Sequence, residues 1–423
     1  MNNWSFLMLK HSLAIYTDRN QSTLLYQSSL TTTISNTITL YNSKIDVQSS
    51  LITDIGSSLT ALDSRIITFE GIRGGVYSNA IINGGMEICQ RATHLVSVVN
   101  AKFTTADKFR YFATGAMVHS CITDTDVPPE DNLYRSLNIK CATIDSSLTA
   151  GDFCHIGQYI EGYNFSSFHN KTFTLSFWAK TNQAGNYSVA YRNIGATRSF
   201  VSGYTLDNET WKKIIITCLH NSTGTWDKTT GNGLEVSWTL AASSTYQTSN
   251  SQTWENGNYT ALQNYNDNLC ATSGKYLKIT GVQLNLGSTA LKYVPRSYNE
   301  ELELCQRYYW VIALGAVQEK IVSIGHFLNS TTVSLHVVTP KVTMRRAASL
   351  DYRLASDFMV RYYGAATASS VCTSLSSDTG NGTSGAIDII ATTGAFTTPQ
   401  GKSGYLFSIA NKPLAFLAAN ADI

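Results

Sequence analysis

Charge is what this sequence has least of. Only 14% of its 423 residues are Asp, Glu, Lys or Arg, and the formal net charge is +2. Ordinary soluble domains carry roughly a quarter charged residues. So balanced a total excludes a strong nucleic-acid footprint and any pull toward anionic membrane. Long apolar runs are missing too: nothing approaches the ~20 residues of a membrane span. At the start, Lys10 and His11 interrupt Trp4, Phe6, Leu7, Met8 and Leu9 too early for a secretory signal. The eight cysteines (89, 121, 141, 154, 218, 270, 305, 372) contain no CxxC pair and no zinc spacing. They read as reduced, buried thiols of a chain folded in a reducing cytoplasm. The eight histidines lack metal-ligand spacing as well, so neither a metal nor a cofactor is expected. HExxH, GxSxG and GxGxxG do not occur in a usable context, and Gly401-Lys-Ser403 has Phe396 where a phosphate loop needs glycine.

What is present is uncharged polarity (Ser, Thr, Asn, Gln, Gly) with 43% hydrophobic residues and many Tyr and Phe. That mixture builds cores and suits extended β-rich assemblies. Between Leu24 and Phe69 the apolar residues follow alternate steps of three and four. The seam runs Leu24, Gln27, Thr31, Ile34, Ile38, Tyr41, Ile45, Gln48, Ile52, Ile55, Leu59, Leu62, Ile66 and Phe69. Such a 3.5-residue period predicts a left-handed coiled coil. With Leu24 at a, isoleucine holds a at 38, 45, 52 and 66 and d at 34 and 55, which favours three strands over two. Outer positions are Ser, Thr and Asn, mediocre helix formers, so the helix should depend on its partners. Gly71, Gly74 and Gly75 are placed to end it.

Beyond Gly75 the period becomes two. Phe173, Leu175, Phe177 and Ala179 alternate with polar neighbours, as do Leu234, Val236, Trp238 and Leu240, and Ile214, Ile216 and Cys218 share a face. Short strands between polar clusters predict an antiparallel, jelly-roll-like β-sandwich over 76–296. Ser297 with Glu300 is a capping box for a connecting helix within 297–310. A smaller C-terminal β domain follows at 311–423, with an exposed loop at Thr373–Ser384. The chain is thus mainly β, preceded by a trimeric α-helical coiled-coil stalk at 21–72 and a short N-terminal segment at 1–20.

The stretches Asn79–Arg91 and Thr105–Arg110, then Ile279–Gly287, Tyr293–Arg296, Glu300–Tyr309, Thr339–Arg345 and Ala421-Asp422 resemble the framing motifs of a module in bacteriophage tail fibres and related virion fibre proteins. The resemblance spans roughly 77–423; Cys89 stands where that family more often has an aromatic. It implies a sandwich similar to carbohydrate-binding modules, borne on a trimeric fibre and used for host attachment. It also suggests structural roles for the frame. Asn83-Gly84-Gly85 would make a tight turn with positive φ, while Gln90, Arg91 and Asp107 would pair and staple the first strand to the last.

The expected function is therefore that of a structural virion fibre subunit, of tail or head, binding a host-surface glycan or receptor. The expected partners are two further copies of the chain and other virion proteins, engaged through residues 1–20. No nucleic acid and no membrane insertion are expected, and the location is the virion, assembled in the host cytoplasm. Trp238 belongs to an apolar face, whereas Trp178 and Trp211 point away from one, and Trp226 and Trp254 fall in polar loops. The last four are the candidates to stack on sugar rings. A purely structural capsid or collar fibre is the alternative. A glycan depolymerase would need two carboxylates at a working separation, with Glu161, Asp207, Glu209 and Glu235 available; no catalytic residue is assigned.

Overall fold

The computed structural model describes residues 3–72, 79–98, 102–314, 320–338, 340–363, 367–377, 387–397, 401–411 and 416–421. Gly74, Gly75, Thr339, Asp422 and residues 378–384 of the expected loop lie outside them. Two compact units divide the chain near Phe69.

The first unit is a single α-helix, Asn3–Ile72, of 70 residues. The segments expected as anchor and stalk are therefore one continuous helix from Asn3 onward. Its weak helix formers fold their polarity inward. Thr31, Thr32, Thr33, Thr37, Thr39, Thr53 and Ser57 each donate a hydroxyl hydrogen bond to the carbonyl four residues back, a bond that satisfies the side chain without adding to helix stability. The seam residues Leu24, Ile34, Ile38, Tyr41, Ile45, Ile52, Ile55, Leu59 and Leu62 are all half or more exposed. Ile66 and Phe69 lie in the helix, with side chains outside the described residues.

The second unit is built from antiparallel sheets. A six-stranded sheet and a seven-stranded sheet face each other across one core. In the first, Thr172–Thr181 is flanked by Tyr276–Leu286 and the edge strand Lys212–Leu219. In the second, Asn232–Ala242 lies between Phe153–Glu161 and Gly185–Arg192. The period-two residues point where the sequence places them: Phe173, Leu175, Phe177, Leu234, Val236 and Trp238 are fully buried. Phe177 and Trp238 meet edge to face across the sandwich at 5.6 Å. After the helix Tyr298–Gln306, capped by Ser297 accepting from Glu300 N, come a three-stranded sheet and a closed six-stranded barrel. Thr373–Ser377, expected as loop, ends the barrel strand Thr367–Ser377. Cys372 and Leu375 turn inward there, and threonine suits a pleated surface.

The motifs quoted for the family resemblance converge on one clasp. Asn79 Nδ2 donates to Val282 O at 3.1 Å, and Ala80 N donates to Leu284 O at 2.8 Å, so the opening segment runs along Tyr276–Leu286. Glu301, buried in the short helix, accepts from Asn83 N at 2.6 Å and from Arg296 Nη1 at 3.1 Å. Arg296 also donates to Ile81 O at 3.2 Å. The turn differs in detail from expectation. Its positive φ angles belong to Asn83 (60°) and Met86 (61°), not to the glycines. Asn83 tolerates this because its side chain bonds Ile88 N, Ile88 O and Asp107 O. Gly84 is needed for close approach: a Cβ would stand 2.1 Å from Val282 O.

The staple also reaches further than expected. Gln90 Nε2 donates to Asp107 Oδ2 at 2.6 Å and to Tyr309 O at 2.7 Å, and Arg91 lies between the Phe103 and Tyr309 rings, 3.7 Å from Asp107. These residues tie the opening segment to the first strand of the terminal region, not to the last strand of the sandwich. Bidentate pairing of Arg307 with buried Glu161 at 2.6 and 2.9 Å adds a second tie. Arg91→Ala should cost about 1–3 kcal/mol through lost cation–π stacking and the loss of Asp107's ionic partner. An unchanged denaturant midpoint would contradict this role. Gly84→Ala should be more damaging, because backbone rather than a flexible side chain opposes the new atom; soluble expression and melting report it.

Candidate functional site

The four candidate tryptophans form two pairs. Trp178 and Trp211 come together with Val127, Leu133 and Tyr293 on the outer face of the six-stranded sheet. Their indole N–H groups donate to Asp131 at 2.9 Å and Asp126 at 3.0 Å. Lys180 and Lys278 bind Asp126, and Lys213 binds Asp131. Burial of Asp126 acts to raise its pKa, but the lysine and indole bonds outweigh it and hold the carboxyl down at about 2. Trp178 is buried, so its ring is committed to packing and leaves no stacking face.

Trp226 and Trp254 meet at 5.3 Å, nearly perpendicular, with His220 against both rings. Trp226 is the buried member and donates to Thr223 O at 3.1 Å. Trp254, partly exposed and fixed by donation to Leu219 O at 2.9 Å, borders a groove of about 430 Å³. Asn170, Asn221, Ser222, Gln252 and Thr253 supply its polar lining. Burial first, then the charges of His169 and Lys228, depress His220 to about 3, so its ring is neutral at ordinary pH.

A second groove, about 460 Å³, adjoins this one through Gln252. Ser249, Ser251, Gln263, Asn264 and Tyr265 line it. Gly203 allows Tyr265 to lie on the strand beneath, because a Cβ there would be 2.5 Å from the ring. Gln252 has φ of 54° and is held by donation of its N–H to Val201 O at 2.8 Å. Neither groove is lined by a carboxylate or an ammonium group. Amides, hydroxyls, the His220 imidazole, Leu219, Leu262 and the Trp254 and Tyr265 rings are what remain, a set that can hydrogen-bond neutral hydroxyls and stack on an apolar ring face.

The segment 243–270, which lines most of the second groove and contributes Gln252, Thr253 and Trp254 to the first, packs in part on the outer face of the seven-stranded sheet. Tyr259, Leu262 and Tyr265 pack on Ala190 and Val201, and Thr239 Oγ1 donates to Thr260 O at 2.6 Å. Beneath it, Arg192 binds Glu235 at 2.6 Å and Asn258 at 2.6 Å, and His155 Nε2 lies 3.1 Å from Glu235. Desolvation opposes ionisation of Glu235, but Arg192 and then His155 overcome it and hold the pKa at about 2. A general acid needs the opposite shift. Glu161 is equally committed, accepting from Arg307 and from Tyr308 OH. Asp207 and Glu209 are exposed, and Glu209 accepts from Tyr276 OH at 2.6 Å.

Sequence reasoning missed the contribution of Gln252, Asn221 and Tyr265, which resemble any other loop residues until the fold brings them to the two grooves. It also missed a buried group formed by His119, Cys154 and Cys270, whose ligand atoms lie within 4.8 Å of one another. Their positions are too scattered in the chain to form a spacing motif.

No family model and no curated protein matches the sequence. Among solved structures, the enzymatically active domain of tailspike protein 4 of bacteriophage CBA120 aligns at 14% identity and TM-score 0.28, covering 50% of this chain and 22% of that one. The family 11 carbohydrate-binding module of a cellulosomal cellulase of Clostridium thermocellum aligns at 13% and 0.26, covering 46% and 96%. A protein of Bacteroides thetaiotaomicron aligns at 12% and 0.28, covering 49% and 100%. Likeness at this level does not carry a function from those proteins to this chain.

The buried Arg192–Glu235 pair makes a testable prediction. Because the folded pKa of Glu235 is depressed, its stabilisation is fully present above an unfolded value of about 4.3. It is lost as pH falls from there toward about 2. Arg192→Leu strands the carboxylate and should cost about 3–5 kcal/mol at neutral pH. The penalty should shrink as pH falls from about 4.3 toward about 2, below which the carboxyl is protonated with or without Arg192; a penalty independent of pH would show that the pair is not what stabilises this face.

Proposed function

We propose that the chain is a subunit of a homotrimeric virion fibre. Its N-terminal helix assembles three copies, and its sandwich binds a neutral host-surface glycan in the grooves joined at Gln252. The observation that carries this reading is the exposed seam. Apolar residues at 3.5-residue spacing, with isoleucine at a and d, stand half or more in water along one helix. A repeat of that period is matched by helices of the same kind. At the helix start, Trp4, Phe6, Leu7, Met8 and Leu9 are also strongly exposed, which fits a segment that docks into another virion protein.

Glycan recognition rests on the grooves. An uncharged lining of amides and hydroxyls beside Trp254 and Tyr265 suits sugars better than peptides rich in charge. A hydrolytic role finds less support, because Glu161 and Glu235 are engaged in ion pairs and no carboxylate lines either groove. A purely structural fibre would leave the grooves without a ligand.

A glycan array probed with the full chain tests the reading. The expected result is binding to a restricted set of neutral glycans. Asn221→Ala and Gln252→Ala should each weaken it about five- to tenfold, near the ~1 kcal/mol of a lost hydrogen bond, with melting unchanged. Binding unaffected by both substitutions would displace the site, and no binding to any glycan would favour the structural fibre.

A further inference from the structure

We propose that His119, Cys154 and Cys270 form a zinc site that ties the two sheets of the sandwich together. The three residues come from separate parts of the fold. His119 lies on Val118–Asp124 of the six-stranded sheet, and Cys154 on Phe153–Glu161 of the seven-stranded sheet. Cys270 follows a turn fixed by donation of Cys270 N to Asn268 Oδ1 at 2.7 Å and of Leu269 N to Leu240 O at 3.0 Å. All three are almost fully buried.

The geometry is that of a ligand set rather than of scattered core residues. His119 Nε2 lies 3.5 Å from Cys270 Sγ, and one ring nitrogen and the two sulfurs lie within 4.8 Å of one another. Tetrahedral zinc with Zn–S near 2.3 Å and Zn–N near 2.0 Å places its ligand atoms about 3.5–3.8 Å apart. The ring is also oriented: Tyr111 OH lies 2.7 Å from His119 Nδ1. With Nδ1–H donating to that phenol, the Nε2 lone pair faces Cys270. Outer partners of this kind fix the tautomer of metal-bound histidines.

Charge favours a divalent ion, and thiolate with imidazole ligands suits zinc. Two thiolates and a neutral imidazole around Zn²⁺ make a complex of zero net charge, which a buried site tolerates. The same ligands around Cu⁺ would leave a buried negative charge. Each thiol gives up its proton as its sulfur binds. Because the site is enclosed, the metal enters as the chain folds.

The test is to refold the full chain with Co²⁺ as a spectroscopic stand-in for Zn²⁺. Expected are thiolate-to-cobalt charge-transfer absorption and the visible bands of tetrahedral cobalt. Cys372→Ser, in the barrel, should keep them, and the double variant C154S/C270S should lose them. Tyr111→Phe leaves all three ligands in place and should weaken the metal about 10–100-fold in competition with a chelator. Zinc should raise the melting temperature of the wild-type chain. A wild-type chain that refolds with no cobalt bands, or bands that persist in the double variant, would overturn the proposal and leave the three residues as core packing only.

Discussion

An isoleucine and leucine stripe left in water is the constraint on which the rest depends. Each such side chain gains about 1.5–3 kcal/mol when fully buried. The helix offers little to offset exposure, since its outer Ser and Thr hydroxyls bond their own backbone and lend it no propensity. A helix of this composition draws most of its stability from packing of its apolar face. In the proposed assembly, partners with the same stripe would convert exposed apolar area into a packed seam, at the cost of association entropy. Isoleucine at both a and d packs best in three-stranded geometry, which is why the proposed assembly is a trimer.

The β region follows a different logic, because it holds its own ends. Asn83, Arg296 and Glu301 close the opening segment onto the helix Tyr298–Gln306, and Gln90 bridges Asp107 to Tyr309. Breaking one partner strands a buried carboxylate, so the clasp is a sensitive point of the fold. It also explains why so many distinctive residues gather in short stretches: they meet in space and hold the chain together.

How far the sequence could be read follows from this. Strands with one apolar face were legible at Phe173–Ala179, Leu234–Leu240 and Ile214–Cys218, because period two records which side meets the core. The capping box at Ser297 was legible because its partner is three residues away. The cover formed by 243–270 was not, since burial of Glu235, Ser237 and Thr239 depends on distant chain crossing a polar face. Positive φ fell to Asn83 and Met86 because Gly84 was needed for its lack of a side chain. Of the four tryptophans proposed for sugar contact, Trp254 borders one of the two grooves described, and burial of Trp178 and Trp226 arose from loops that pattern alone does not place.

Site and assembly are linked in the proposed function, since three copies would present three pairs of grooves and multiply weak glycan contacts through avidity. The number of chains is therefore the quantity on which the account turns. Sedimentation equilibrium of the full chain measures it directly. The account predicts the mass of three chains across loading concentrations. A single-chain or two-chain mass with the helix intact would contradict it.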